Sequence, residues 1–161
     1  MRFLLLALVS LLAVSCTSTR QRPVSSVEIQ TILPRYMKEQ QFMRIGEYLT
    51  GAERQGDRVI VRTTPEVRDG FYFTLVLDQK LRRLPQGVII EGEFLTAKSL
   101  DVQKHTFKLP NNRPNTREIF VGLTGEDWPY GADHAPTAWR FTIKDANGQI
   151  LGHTQSYLWS I

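Results

Sequence analysis

The chain has 161 residues, of which 42% are hydrophobic and 22% charged, with a formal net charge of +4 and one cysteine. That balance excludes a disordered polymer and a multi-span membrane protein, and it fits one globular domain with extra chain at an end. With a single thiol, no disulfide can staple the chain, so a folded domain must rest on its apolar core.

Met1 to Cys16 comes first and is the most specific stretch. Arg2 gives a short positive start, and Phe3 to Val14 is apolar apart from Ser10. A positive end, an apolar run of 7–15 residues and a small-residue exit mark a secretory signal. The run is shorter than the roughly 20 apolar residues that cross a bilayer. Residues 1–15 are therefore expected to form a signal helix that is cut away. Ala13-Val14-Ser15-Cys16 resembles the lipobox of bacterial lipoprotein precursors, although Ala13 stands where that class usually carries Leu. The resemblance covers residues 1–16 alone. It implies that the Cys16 thiol receives a diacylglycerol and becomes the first residue of the mature chain. It also implies further acylation (a palmitate-type chain), and a cell-envelope location. Thr17, rather than Asp, follows the cysteine. In an enteric-type envelope the family pattern then implies sorting to the outer membrane. Two or three acyl chains hold a protein far more firmly than one. The alternative is an ordinary signal peptide that leaves Cys16 a free thiol.

Residues 16–40 are expected to be the lipidated cysteine and a tether. Thr17 to Val24 is polar and contains Pro23. Ser25 to Tyr48 reads ambiguously. A short helical or irregular piece near Pro34, then a strand over Phe42–Leu49, is the expectation. From residue 41 to 161 the pattern is β. Arg58–Arg62 is short and β-branched. Phe71, Phe73, Leu75 and Leu77 alternate with Tyr72, Thr74 and Val76. Val88, Ile90, Gly92 and Phe94 form a second such set, His105, Phe107 and Leu109 a third, Ile119, Val121 and Leu123 a fourth, and Trp139, Phe141 and Ile143 a fifth. A period of two places each set on one face, toward a core. Gln149–Trp159 is mixed on both faces, which predicts a bulge or twist. Leu84-Pro85-Gln86-Gly87 suits a type I turn, and Asn147-Gly148 a tight hairpin. The fold class that follows is mainly β. It is an antiparallel β-sandwich, immunoglobulin-like or fibronectin-type-III-like, with a small β-barrel as the alternative.

Candidate chemistry concentrates in Thr124 to Thr137, a loop that Gly and Pro keep out of the strands. Trp128 and Tyr130 offer ring faces for a sugar or small ligand, with Asp133 and His134 as polar partners. Asp127, Asp133 and His134 also offer oxygen and imidazole ligands to a cation, but no metal motif is matched. The opposing reading has Trp128 folded back as a cap on the sandwich. His105 and His153 fall within strand patterns and read as partly buried, hydrogen-bonded histidines. Glu91 and Glu93 share a strand face, where solvated charges are commoner than a glycosidase pair. There is no G-x-S-x-G elbow and no phosphate loop. No catalytic residue, metal ligand set or cofactor is assigned. A sequence pI near 9.4 raises nucleic acid as a partner, but export and the scatter of the basic residues argue against it. The expected function is a lipid-anchored, non-enzymatic interaction module that meets the membrane through its lipid and an envelope protein or polysaccharide through loops or strand edges. The alternatives are a glycan- or small-ligand-binding module using the 124–137 loop and, less favoured, a metal-assisted hydrolase.

Overall fold

The computed structural model describes residues 24–160 apart from Arg54; Cys16 and the expected signal and tether up to Pro23 lie outside them. Eight strands form two four-stranded sheets. Strands β1 (Ile29–Met37), β3 (Gly70–Leu77), β6 (Glu118–Thr124) and β2 (Val59–Arg62) lie side by side in that order. The second sheet runs β5 (Ser99–Lys108), β4 (Ile89–Thr96), β7 (Ala138–Lys144), β8 (Ile150–Gln155). One short helix, α1 (Ile45–Thr50), lies between β1 and β2. Among the described residues no helix is long and apolar enough to cross a membrane.

The expected alternation builds the core. Phe71, Phe73, Leu75 and Leu77 of β3 and Ile119, Val121 and Leu123 of β6 meet Ile90 and Phe94 of β4 and Phe141 and Ile143 of β7 in one buried cluster. Phe73 joins the sheets: its ring lies 5.3 Å from Phe94 and 5.2 Å from Phe141. β1-β3-β6 follow the A-B-E order of immunoglobulin domains, and β5-β4-β7-β8 follow C′-C-F-G. The fold is an immunoglobulin-like β-sandwich.

Three expectations are corrected. First, the sandwich begins well before residue 41. Val27 is buried and donates its amide to Leu151 O of β8 at 2.7 Å, and Ile29–Met37 is a nine-residue strand paired with β3. Pro34, which suggested a helix start, sits instead in an edge strand, where a missing N–H is tolerated. Second, Phe42–Leu49 is not a strand. Phe42 ends a 3₁₀ turn over Glu39–Gln41, and α1 follows. Third, the sandwich is not wholly antiparallel. β2 pairs with β6 in parallel, at the sheet edge beside β6 that strand D takes in a constant-type immunoglobulin domain. The mixed last segment behaves as its pattern predicts. The β7–β8 register shifts between Ile143 and Lys144, and the strand ends at Gln155 before a 3₁₀ turn.

The β1-β3-β6-β2 sheet is also covered on part of its outer face. Met37, Phe42, Ile60, Tyr72 and Phe120 form a second apolar cluster on its outer side. The chain from Lys38 to Asp57 crosses that face as a strap, with Phe42 as its inward plug.

Register also gives the sandwich two distinct ends. Gly70 pairs with Met37 and with Thr124, whereas Ile29 pairs with Leu77 and Val76 with Glu118. The N-terminal chain therefore enters at the Leu77 end. The 124–137 loop, the β4–β5 hairpin and α1 lie at the Gly70 end.

Candidate functional site

At the Gly70 end the 124–137 loop is locked at its start. Thr124 is buried and exchanges hydrogen bonds with Thr63 and Thr64. Its Oγ1 donates to Thr64 O at 2.9 Å, and its amide donates to Thr63 Oγ1 at 2.9 Å. Gly125 then turns with φ +63, and a Cβ there would meet Thr64 Oγ1 at 2.8 Å. Only glycine suits that corner.

Trp128 follows and turns inward. It is buried, its ring lies 4.9 Å from Phe71, and its indole N–H donates to Gly131 O at 2.9 Å. The residue expected to stack on a ligand instead caps the core, and its one polar group is satisfied within the loop. Tyr130 stands edge-on to Trp128 at 5.1 Å and is partly buried against the core, with Lys98 Nζ 5.0 Å from its ring centre. His134 is exposed, and its Nδ1 lies 3.0 Å from Tyr130 O. Asp133 is exposed at the loop tip. Asp127 Oδ1 lies 3.9 Å from His105 Nε2. Among the described residues no three His, Cys, Asp or Glu side chains gather around one point, so Asp127, Asp133 and His134 do not form a cation site.

Beneath the loop lies a feature that the sequence pattern did not single out. Thr96 Oγ1, Gln103 Oε1 and His105 Nε2 are buried and have no hydrogen-bond partner among the described residues. All three sit on the inner side of the β4–β5 pair, where Phe94 faces Gln103 and Gly92 faces His105. Asp127 is too far from His105 for a hydrogen bond. Buried polar groups are nearly always paired, to protein or to ordered water, and these three share one face of the β4–β5 pair without a protein partner among the described residues. The signal in sequence was His105 and Gln103, two apart on the face that also carries Phe107.

On the outer face of the second sheet the charged side chains satisfy one another. Glu91 and Glu93 lie on the outer face of the second sheet, with Lys144 at 2.7 Å from Glu91 and Lys104 at 2.8 Å from Glu93. Arg140 also bonds Glu93. That is the solvated-strand arrangement rather than a free carboxylate pair. A cleft of about 330 Å³ opens between the edge strands β2 and β5, lined by Glu53, Ile60, Arg62, Thr106, Phe107 and Lys108. Its Arg62 guanidinium is already engaged by Glu53 at 2.7 and 2.9 Å and by the Tyr72 hydroxyl at 2.8 Å.

No family model and no curated protein matches the chain. Among solved structures it is similar to an immunoglobulin-like protein of Pseudomonas aeruginosa, at 12% identity and a TM-score of 0.31, over 82% of this chain and 95% of that one. At that TM-score the likeness carries no argument. The fold assignment rests on strand order and core.

Proposed function

We propose that this chain is a lipid-anchored cell-envelope protein whose immunoglobulin-like sandwich is a non-enzymatic interaction module. The observation that supports it most is the polarity of the domain. The chain from the lipobox-like Ala13-Val14-Ser15-Cys16 enters at one end, and the irregular 124–137 loop lies at the other. A tethered domain of that design offers loops to partners while its attachment stays out of the way. The anchor is Cys16, and in an enteric-type envelope the outer membrane is its destination. Replacing Cys16 with Ala removes the acylation site. The variant is expected to accumulate as unprocessed or mislocalised precursor and to leave the detergent-extracted membrane fraction. Membrane retention equal to the parent chain's would refute the anchor.

A second reading is supported by the three unpartnered polar atoms under the loop. Thr96, Gln103 and His105 supply a hydroxyl, an amide oxygen and an imidazole, and Tyr130 of the neighbouring loop supplies a partly exposed ring. That set suits a small hydroxyl-bearing ligand such as a glycan end. Glycan retention by the domain, lost on Gln103→Leu and on Tyr130→Ala, is the result that would favour it. Retention indifferent to both variants would dismiss it.

A further inference from the structure

Helix α1 is turned inside out. Ile45, Tyr48 and Leu49 fall at i, i+3 and i+4, one stripe along a helix. Such a stripe ordinarily packs against the core. Here the three residues are 85%, 73% and 85% exposed. The residue that points inward is Glu47, buried and paired with Arg68 at 2.8 Å. That pair fixes the rotation of the helix. Turning α1 to bury its stripe would pull Glu47 off Arg68, itself 15% exposed, and leave that guanidinium only its longer contacts to Glu39 at 3.7 Å and Glu53 at 3.6 Å, a weakening of a largely buried pair that is costly. Nor is space free below, because Phe42 already plugs the outer cluster.

The stripe has company on the same face. Alternation puts Ile32 and Tyr36 of β1 toward the core and Leu33 and Arg35 on the outer side. Leu33 is half-exposed, and Arg35 and Lys38 are exposed between it and α1. Leu33 at mid-strand and the α1 stripe toward the loop end thus make an apolar line on this side, with the cations Arg35 and Lys38 and the acid Glu39 exposed beside it.

We infer that this face, centred on Ile45, Tyr48 and Leu49 with Leu33, seats the domain on an anionic phospholipid bilayer. The inference rests on the lipid-anchor reading. From Cys16 to Val24 the chain can span at most about 28 Å, and the nine residues of β1 cover about 30 Å. The tether therefore holds the sandwich within roughly its own length of the membrane. Lying along the membrane brings the apolar line down to it. Ile45 and Leu49 enter the acyl boundary, Tyr48 sits at the headgroup level that suits its amphipathic ring, and Arg35 and Lys38 meet lipid phosphates. A second copy of this chain is the weaker occupant. Stable dimers need on the order of 1,000 Å² of buried surface, which a six-residue helix does not supply.

The test uses the chain from residue 17, which carries no acylation site. Both apolar clusters are drawn from Val27 to Leu151, so the sandwich holds its core without the leader. It is mixed with vesicles of phosphatidylglycerol and phosphatidylethanolamine and sedimented. Binding is expected, and the double substitution Ile45→Asn with Leu49→Asn should weaken it by at least about tenfold, since each side chain would otherwise lose much of its contact with water. Val102→Asn, an exposed apolar position on β5, should leave binding unchanged. Near-ultraviolet circular dichroism of the double variant should match the parent, because neither side chain is in the core. Absence of vesicle binding, or equal binding by the double variant, overturns the inference. So does a concentration-dependent dimer, without lipid, that the double variant abolishes. None of these outcomes bears on Cys16, whose test reads acylation in cells, so the two readings fail separately.

Discussion

Tyr72 joins the apolar and the charged parts of the strapped face. Its ring lies 4.7 Å from Phe42, and its hydroxyl accepts from Arg62 Nε and donates to Arg68 O at 2.7 Å. The residue opposite is Gly122, where a Cβ would stand 2.4 Å from the ring, so the aromatic lies flat on bare backbone. Burial pushes the Tyr72 hydroxyl up to about 12, although Arg62 pulls the other way. Removing the hydroxyl by Tyr72→Phe leaves Arg62 Nε and the Arg68 carbonyl short of a partner. The variant should lose about 1–3 kcal/mol in urea unfolding at pH 7. A pKa raised above its ordinary value of 10.0 gives stability that is whole below pH 10 and is lost as pH rises toward 12. The Phe variant, already lacking that contribution, should show a flatter alkaline limb in the same titration. None of this was legible in the alternation of β3. The period of two marks Tyr72 only as facing away from Phe71 and Phe73, and burial there depends on a strap whose own pattern does not announce it.

At the scale of elements, the strands whose two faces differ were the ones the sequence declared. β3 through β7 alternate cleanly on the inner side because one core claims every second residue. β1 was hidden for a physical reason. It is an edge strand with Pro34 in its middle and mostly exposed residues, so it has almost no inward signature beyond Ile32 and Tyr36. The strap was hidden because its apolar residues serve opposite purposes: Phe42 is buried while Ile45, Tyr48 and Leu49 face out. The candidate loop was legible as a loop from its Gly and Pro content, but the inward turn of Trp128 depends on Phe71, far away in sequence. The same logic singles out how the two sheets are joined on their β1–β8 side. Val27 lies across β8, and a Cβ at Gly152 would come within 2.1 Å of Val27 O. Gly152→Ala must therefore push the N-terminal segment off β8. Hydrogen exchange of the Val27 amide, which bonds Leu151 O, should speed up by at least about tenfold, while the β3–β6 amides stay protected. Unchanged protection of Val27 would show that β8 yields instead.

For the whole molecule, the two outer faces are unlike. The β1-β3-β6-β2 sheet carries an apolar layer and a strap. The other sheet carries ion pairs that run across β5, β4 and β7, with Glu93 at their centre between Lys104 and Arg140. The strapped face has ion pairs too, such as Glu47–Arg68 and Glu53–Arg62, but they surround an apolar layer, whereas those of the other sheet lie directly on its strands. The pairs on that other sheet set how the molecule responds to acid. Burial alone would raise the Glu93 carboxyl, but hydrogen bonds from Lys104 and Arg140 outweigh it and hold the group below its ordinary value of 4.5. A carboxyl depressed in the folded state stabilises the fold above its unfolded pKa, and that contribution drains away as pH falls from about 4.5 through the folded value. Lys104 is largely exposed and Arg140 partly so, which keeps the contribution near that of surface pairs, about 0.5–1 kcal/mol. Glu93→Gln should lower stability by that amount at pH 7 and leave it unchanged at the lowest pH, where the parent carboxyl is also neutral. Parent and variant melting curves taken between pH 7 and pH 3 should therefore converge on acidification. Curves that stay parallel would mean that the three strands are held by backbone and core alone, and that the charges on this face serve solubility.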